Sequence, residues 1–167
     1  MSYTPKGLTA FDLQRELAQT LQELFAETRL KSLDPASGMR APHIFLQELP
    51  IPQDEYDASF SELPYIIVHL SGGSIEDLDS FDAYSEITVE LYLGIYNNSP
   101  DRSGHVELLN MIQRIENHFG ISRRVHNFTV KPSFRWVLDE EDRHPYYFGA
   151  VSMTFEAPRT IKEDPFT

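Results

Sequence analysis

Six histidines, twenty-six carboxylates and no cysteine set the chemistry this chain can attempt. His43, His69, His105, His118, His126 and His144 are scattered, with no HExxH and no pair four residues apart. Zinc sites carried on one helix need that spacing, so the local sequence offers no metal centre. The absence of cysteine removes disulfides, thiolate ligands and a cysteine nucleophile. No GxSxG elbow is present, and no serine stands near a histidine and an acid in a known order. His105 falls near the start of an apolar helical stripe, where a helix-end or packing role suits it better than ligation.

Loops give little more. Ser71-Gly72-Gly73-Ser74 follows an apolar run, as phosphate loops do, but it lacks the P-loop lysine and the GxGxxG spacing. An arriving anion would meet Glu76, Asp77 and Asp79. Asp77, Asp79 and Asp82 do not follow the EF-hand pattern, and Asp139, Glu140, Glu141 and Asp142 are consecutive, so their side chains diverge. Acid–base catalysis needs one buried, protonated carboxyl beside an ionised one, a contrast that surface turns rarely provide. Trp136, Tyr146, Tyr147 and Phe148 can line a pocket, yet at strand spacing they equally serve a core or an interface.

The elements that position these residues read clearly in places. Leu13, Leu17, Leu21, Leu24 and Phe25 form a helical stripe within residues 9–30, and Thr9 with Asp12 has capping-box spacing. Leu8 and Leu13 have the spacing of a hydrophobic staple. After a Pro/Gly break, residues 43–49 read as a strand, residues 50–63 as a long polar loop, and Tyr65 to Leu70 as a central strand ended by Ser71–Ser74. From Tyr84 to Tyr96 the alternation is strict: Ile87, Val89, Leu91, Leu93 and Ile95 on one side, Glu86, Thr88, Glu90, Tyr92 and Tyr96 on the other. A second amphipathic helix carries Leu108, Leu109, Ile112, Ile115 and Phe119, with Gly120 as a left-handed terminator. Strand pieces 125–130 and 134–138 are separated at Pro132; an acidic turn and a last strand, Tyr146 to Ala157, follow, with Val151, Met153 and Phe155 inward.

This order predicts an α+β fold: a mostly antiparallel, mixed sheet with two amphipathic helices packed on one face. Residues 1–158 read as a single domain and residues 159–167 as a flexible tail, for a length of 167 suits one domain and buries about 70% of the unfolded surface. With 41% hydrophobic residues the chain has an ordinary globular composition. The formal charge of −12 disfavours a grip on nucleic acid, which needs many Lys and Arg contacts. Residues 1–10 show no signal-peptide pattern, and no segment approaches the roughly 18 apolar residues of a membrane span, so a soluble protein is expected. Tyr92 and Tyr96, on the side of their strand away from the helices, suit either a partner surface or a partly wet sheet face.

Several stretches stand together in a telling order: the proline-led strand from Pro64, Gly94-Ile95-Tyr96-Asn97, the run from Gly104 to Ile115, Phe119-Gly120, and the late Glu140-Glu141-Asp142 to Pro145-Tyr146 turn leading to Ala157-Pro158. This pattern resembles the tail terminator and tail-completion (minor tail) proteins of long-tailed bacteriophages and prophages, over roughly residues 63–158. The resemblance implies a non-enzymatic structural subunit with no cofactor or metal. It implies an oligomeric ring, usually hexameric, that caps the tail tube, contacts the tail-tube protein and joins it to the head-connector protein. It also implies assembly in the host cytoplasm, residence in the virion tail or a tail-like particle, and no membrane or sequence-specific nucleic-acid partner. An acidic lumen lets DNA pass without sticking, and Tyr92, Tyr96, Glu140, Glu141, Asp142 and Tyr146 are the interface residues expected on this reading. The alternatives are a head-closure or connector adaptor, a small hydrolase using distant carboxylates with His69 or His144, and a monomeric ligand-binding module built on Trp136 and Tyr146.

Overall fold

Thr9 starts the first helix as its spacing with Asp12 requires: its hydroxyl accepts from the Asp12 amide at 3.1 Å, while the Asp12 carboxylate accepts from the Thr9 amide at 3.2 Å. The computed structural model describes residues 9–33, 38–50, 62–75 and 84–158. Leu8, the loop between residues 51 and 61, Asp77, Asp79 and Asp82, and the tail from residue 159 lie outside these. The helix, α1 (Ala10–Leu24), buries Leu13, Leu17, Ala18 and Leu21 and ends six residues before Leu30. Leu30 is itself buried, in a two-residue strand β1 (Leu30–Lys31) paired with β2 (Met39–Arg40).

Six further strands make one curled sheet: β3 (His43–Leu46), β4 (Tyr65–Ile75), β5 (Tyr84–Tyr96), β6 (Arg124–Val125), β7 (Phe128–Leu138) and β8 (Tyr146–Pro158). Their spatial order is β3-β4-β5-β8-β7-β6, antiparallel throughout except for the parallel β3–β4 pair. The α+β architecture is therefore as the sequence predicts. The second helix, α2 (Gly104–Ile121), joins β5 to β6.

Both helices cover the same face. Ile66 and Val68 of β4, Ile87 to Ile95 at alternate positions of β5, and Val151, Met153, Phe155 and Ala157 of β8 pack beneath Leu13, Leu17, Leu21, Leu108, Met111, Ile112, Ile115 and Phe119. Full burial of each such side chain stabilises by about 1.5–3 kcal/mol before entropy is charged against it. Gln14 is the buried polar residue of this layer; its amide donates to the Val68 carbonyl at 2.8 Å and to Gln47 Oε1 at 3.0 Å. Arg114 of α2 ties the helices together: it donates to the Leu24 carbonyl at 2.7 Å and to the Thr28 hydroxyl, and lies 4.9 Å from the Phe25 ring centre. Carbonyls at a helix end lack intrahelical partners, so this contact closes α1.

Several local expectations do not hold. Residues 125–130 are not one strand, because the chain turns at His126 and Asn127, with His126 at φ 55°, and β6 pairs back on β7. Ser71–Ser74 does not end β4, which continues to Ile75 past an irregularity between Leu70 and Gly72. Gly73 lies against the β5 backbone, where an added Cβ would sit 3.0 Å from the Glu86 carbonyl oxygen, so that glycine serves a close strand approach. Gly120 is inside α2, which runs one residue further, and its φ is not positive. Pro132 does not split two strands, because β7 absorbs it in a register shift between Val130 and Phe134. Leu109 is only half-buried, and Met111 takes the place on the core stripe that was expected of it.

Candidate functional site

The sheet face away from the helices is the candidate site, and strand pairing builds it in two halves. In one half Tyr92 and Tyr96 of β5 meet Tyr146 and Phe148 of β8 and Tyr65 and Ile67 of β4, with Leu63, Leu33, Phe45 and Leu49 packed around them. Tyr96 and Tyr146 are register partners with ring centres 6.0 Å apart, and Tyr92 lies 5.3 Å from the His69 ring. Tyr65, Leu63 and Ile67 are buried there, whereas Tyr92, Tyr96, Tyr146 and Phe148 keep part of their surface in solvent. The Tyr92 hydroxyl donates to the Glu90 carboxylate. That hydrogen bond, then burial and the Glu90 charge, raise the Tyr92 phenol above its ordinary pKa. Burial alone raises that of Tyr65.

The other half is polar. Glu86, Thr88, Ser152, Thr154 and Glu156 point outward, and Lys131 lies 2.7 Å from Glu86 and 3.6 Å from Glu156. Thr88, Thr154 and Glu86 also border a depression lined by Ser71 to Ser74. An anion there would still face the Glu86 carboxylate.

Beyond the aromatic half lies the acidic turn between β7 and β8. Asp139 and Glu141 both grip Arg143, and Asp142 reaches back to Arg102 before α2. Backbone donors set these acids: the Glu141 amide donates to Asp139 and the His144 amide to Asp142. Those bonds first, and the guanidinium partners second, hold both carboxyls below the usual aspartate range. Glu140 is exposed. Of the six residues expected at the interface, the sheet thus brings Tyr92, Tyr96 and Tyr146 together, while Asp142, Glu141 and Glu140 form an adjoining rim.

The histidines do not converge. His43 lies 3.9 Å from Glu62, and burial with the Arg40 charge lowers its pKa against the pull of Glu62. His69 faces the Gln47 carbonyl at 3.2 Å, His105 the Arg102 carbonyl at 3.2 Å, and His144 the Tyr147 hydroxyl at 2.9 Å. His105 is exposed and off the core stripe, a helix-end role. Among the described residues no three His, Asp or Glu side chains are placed to hold one metal ion. The four aromatics read as pocket candidates do not share a side either. Tyr146 and Phe148 face outward, whereas Tyr147 and Trp136 are on the helix side, by the two-residue period of their strands. Leu63, Tyr65 and Ile67 were missed because Tyr65 to Val68 is apolar at every position and carries no period.

No family model matches the chain, and no curated protein matches it. Among the described residues no helix is long and apolar enough to cross a membrane.

Proposed function

We propose that the chain is a non-enzymatic assembly subunit, a tail terminator or tail-completion protein whose ring, hexameric on this reading, caps a phage tail tube and meets the head connector. The observation that carries the reading is the aromatic half of the sheet face away from the helices. Four large rings (Tyr92, Tyr96, Tyr146 and Phe148) are gathered there yet only partly covered, beside a turn already ordered by Arg143 and Arg102. Aromatic residues give large contact area with a polar tip and dominate the centres of protein interfaces. The sequence resemblance supplies the kind of partner; the faces and charges are compatible with it. A surplus of carboxylates suits a lumen through which DNA slides without sticking.

The test is assembly itself. Light scattering and negative-stain microscopy of the purified chain should find rings, and addition to purified tail tubes should stop their growth. Tyr96→Ala and Tyr146→Ala should each weaken these effects. A protein that stays monomeric and never caps a tube sinks the proposal. Binding to portal-side proteins in place of tubes would favour the adaptor reading.

A further inference from the structure

Strand β7 leaves one side of its backbone without a partner. β6 pairs only with Phe128 and Thr129, so among the described residues no strand runs beside β7 from Ser133 to Leu138. The Asp139 amide donates to the Phe148 carbonyl at 2.9 Å and continues the β7–β8 register. Successive residues of an antiparallel ladder turn their backbone groups toward the partner and away from it. Arg135 and Val137 therefore bond to β8, and the N–H and C=O groups of Phe134, Trp136 and Leu138 aim outward. Pro132 and its register shift protect only the start of this edge.

On the helix side a groove runs between the C-terminal half of α2 and β7. It encloses about 190 Å³, with the buried Phe119 and Val130 and the half-buried Phe134 among its walls. Glu116, Gly120 and Arg123, all exposed, border it from α2 and the residues just after. A Cβ added at Gly120 meets nothing within 4 Å, so that flank of the groove is unfilled. Trp136, two residues beyond Phe134 and on the same side of β7, is 48% exposed. Unpaired backbone thus borders an apolar groove. Sheet edges take up extended peptides with this pairing of features, in which main-chain bonds supply affinity and pockets read alternate side chains.

The charges select the peptide. Among the described residues Arg123, Arg124 and Arg135 form no ion pair. The acids that follow β7 are engaged, Asp139 and Glu141 with Arg143 and Asp142 with Arg102. Glu116, on the α2 wall, is the one acid among the described residues that line the groove. Arg135 points to the opposite side from Phe134 and Trp136, so an added strand turns its intervening residue toward that guanidinium. An edge arginine repels a basic strand and admits an acidic one.

We propose that β7 and this groove receive an extended segment of a partner protein, added to the sheet as a strand, with apolar residues at alternate positions and Asp or Glu between them. The apolar side chains enter the groove and cover Trp136, and an acid meets Arg135. This site is separate from the aromatic face that carries the ring reading.

Trp136 is the only tryptophan of the chain, so its fluorescence reports on the site. The probe is a short, capped peptide of alternating valine and glutamate. It should bind saturably, shift Trp136 emission to the blue and shield the ring from acrylamide. Replacing the glutamates with lysines, or methylating the peptide amides that pair with β7, should each weaken binding by more than about tenfold. Gly120→Leu fills the groove from the exposed side of α2 and should weaken binding as much, with no fall in the unfolding midpoint, since leucine suits a helix better than glycine. Arg135→Glu should abolish the preference for the glutamate peptide. Emission that no peptide shifts, equal binding of the glutamate and lysine peptides, or binding untouched by Gly120→Leu overturns the proposal. Emission that moves with protein concentration alone assigns the edge to a second copy. A red shift on removal of residues 159–167 assigns it to the chain's own tail. Either result sinks the partner-strand site.

Discussion

The two faces of one sheet follow different rules. Under the helices, Leu91, Val89 and Ile95 of β5 are fully buried, and Phe155 and Val151 of β8 meet them. One residue along the same strands, Glu90, Tyr92, Ser152 and Thr154 remain partly wet. The first face is fixed by the need to exclude water, and it leaves little freedom in residue type. The second carries rings at one end and charges at the other, so its composition is open to selection for contact. Stability and association should therefore separate by residue parity along β5 and β8.

The largest expected effect is on the closed face. Leu91→Ala leaves a cavity among rigid neighbours and should cost about 2–5 kcal/mol in denaturant unfolding. A second change on that face sharpens the point: a Cβ at Gly104 would collide with the Tyr147 ring, so Gly104→Ala should cost about 1–3 kcal/mol. Tyr92→Ala, adjacent to Leu91 but facing outward, should lose only about 1 kcal/mol while markedly weakening self-association by light scattering. If Tyr92→Ala destabilises the fold as much as Leu91→Ala does, the contrast between faces is broken. Lys131→Met removes solvent-screened pairs with Glu86 and Glu156 and should leave the unfolding midpoint unchanged at physiological salt.

A further expected effect is a local response to acid. Asp139 and Asp142 have folded pKa values below the free value of 3.8, so they bind fewer protons folded than unfolded. Their contribution is complete above the free value and disappears as pH falls through the lower folded values. Carboxyl NMR titration should find both midpoints below 3.8, with the turn amides exchanging faster once these are passed. Midpoints at or above the free value would contradict the hydrogen bonds from the Glu141 and His144 amides.

What the sequence made legible follows from the range of the forces involved. The β5 alternation and the Thr9–Asp12 cap are local, and each appears as read. Tyr92 and Tyr96 share a side by the same two-residue period. That Tyr146 lies opposite Tyr96 depends on β5 finding β8 across fifty residues, which no local pattern encodes. Glycine and proline were ambiguous for a related reason. Gly73 and Pro132 have the appearance of breakers, yet one allows close strand approach and the other is accommodated at an edge where its missing N–H costs little. Gly120 lies on the exposed side of α2 with nothing near its Cβ position, and the helix passes through it.

The Arg114 contact carries a mechanical consequence. Because a side chain in the middle of α2 plugs the carbonyl terminus of α1, neither rod can slide over the sheet without tearing a charged fastening. A force applied to either rod would be shared by both and passed on to the strands below them. Fluctuations that expose the sheet to solvent should accordingly lift the pair in one motion.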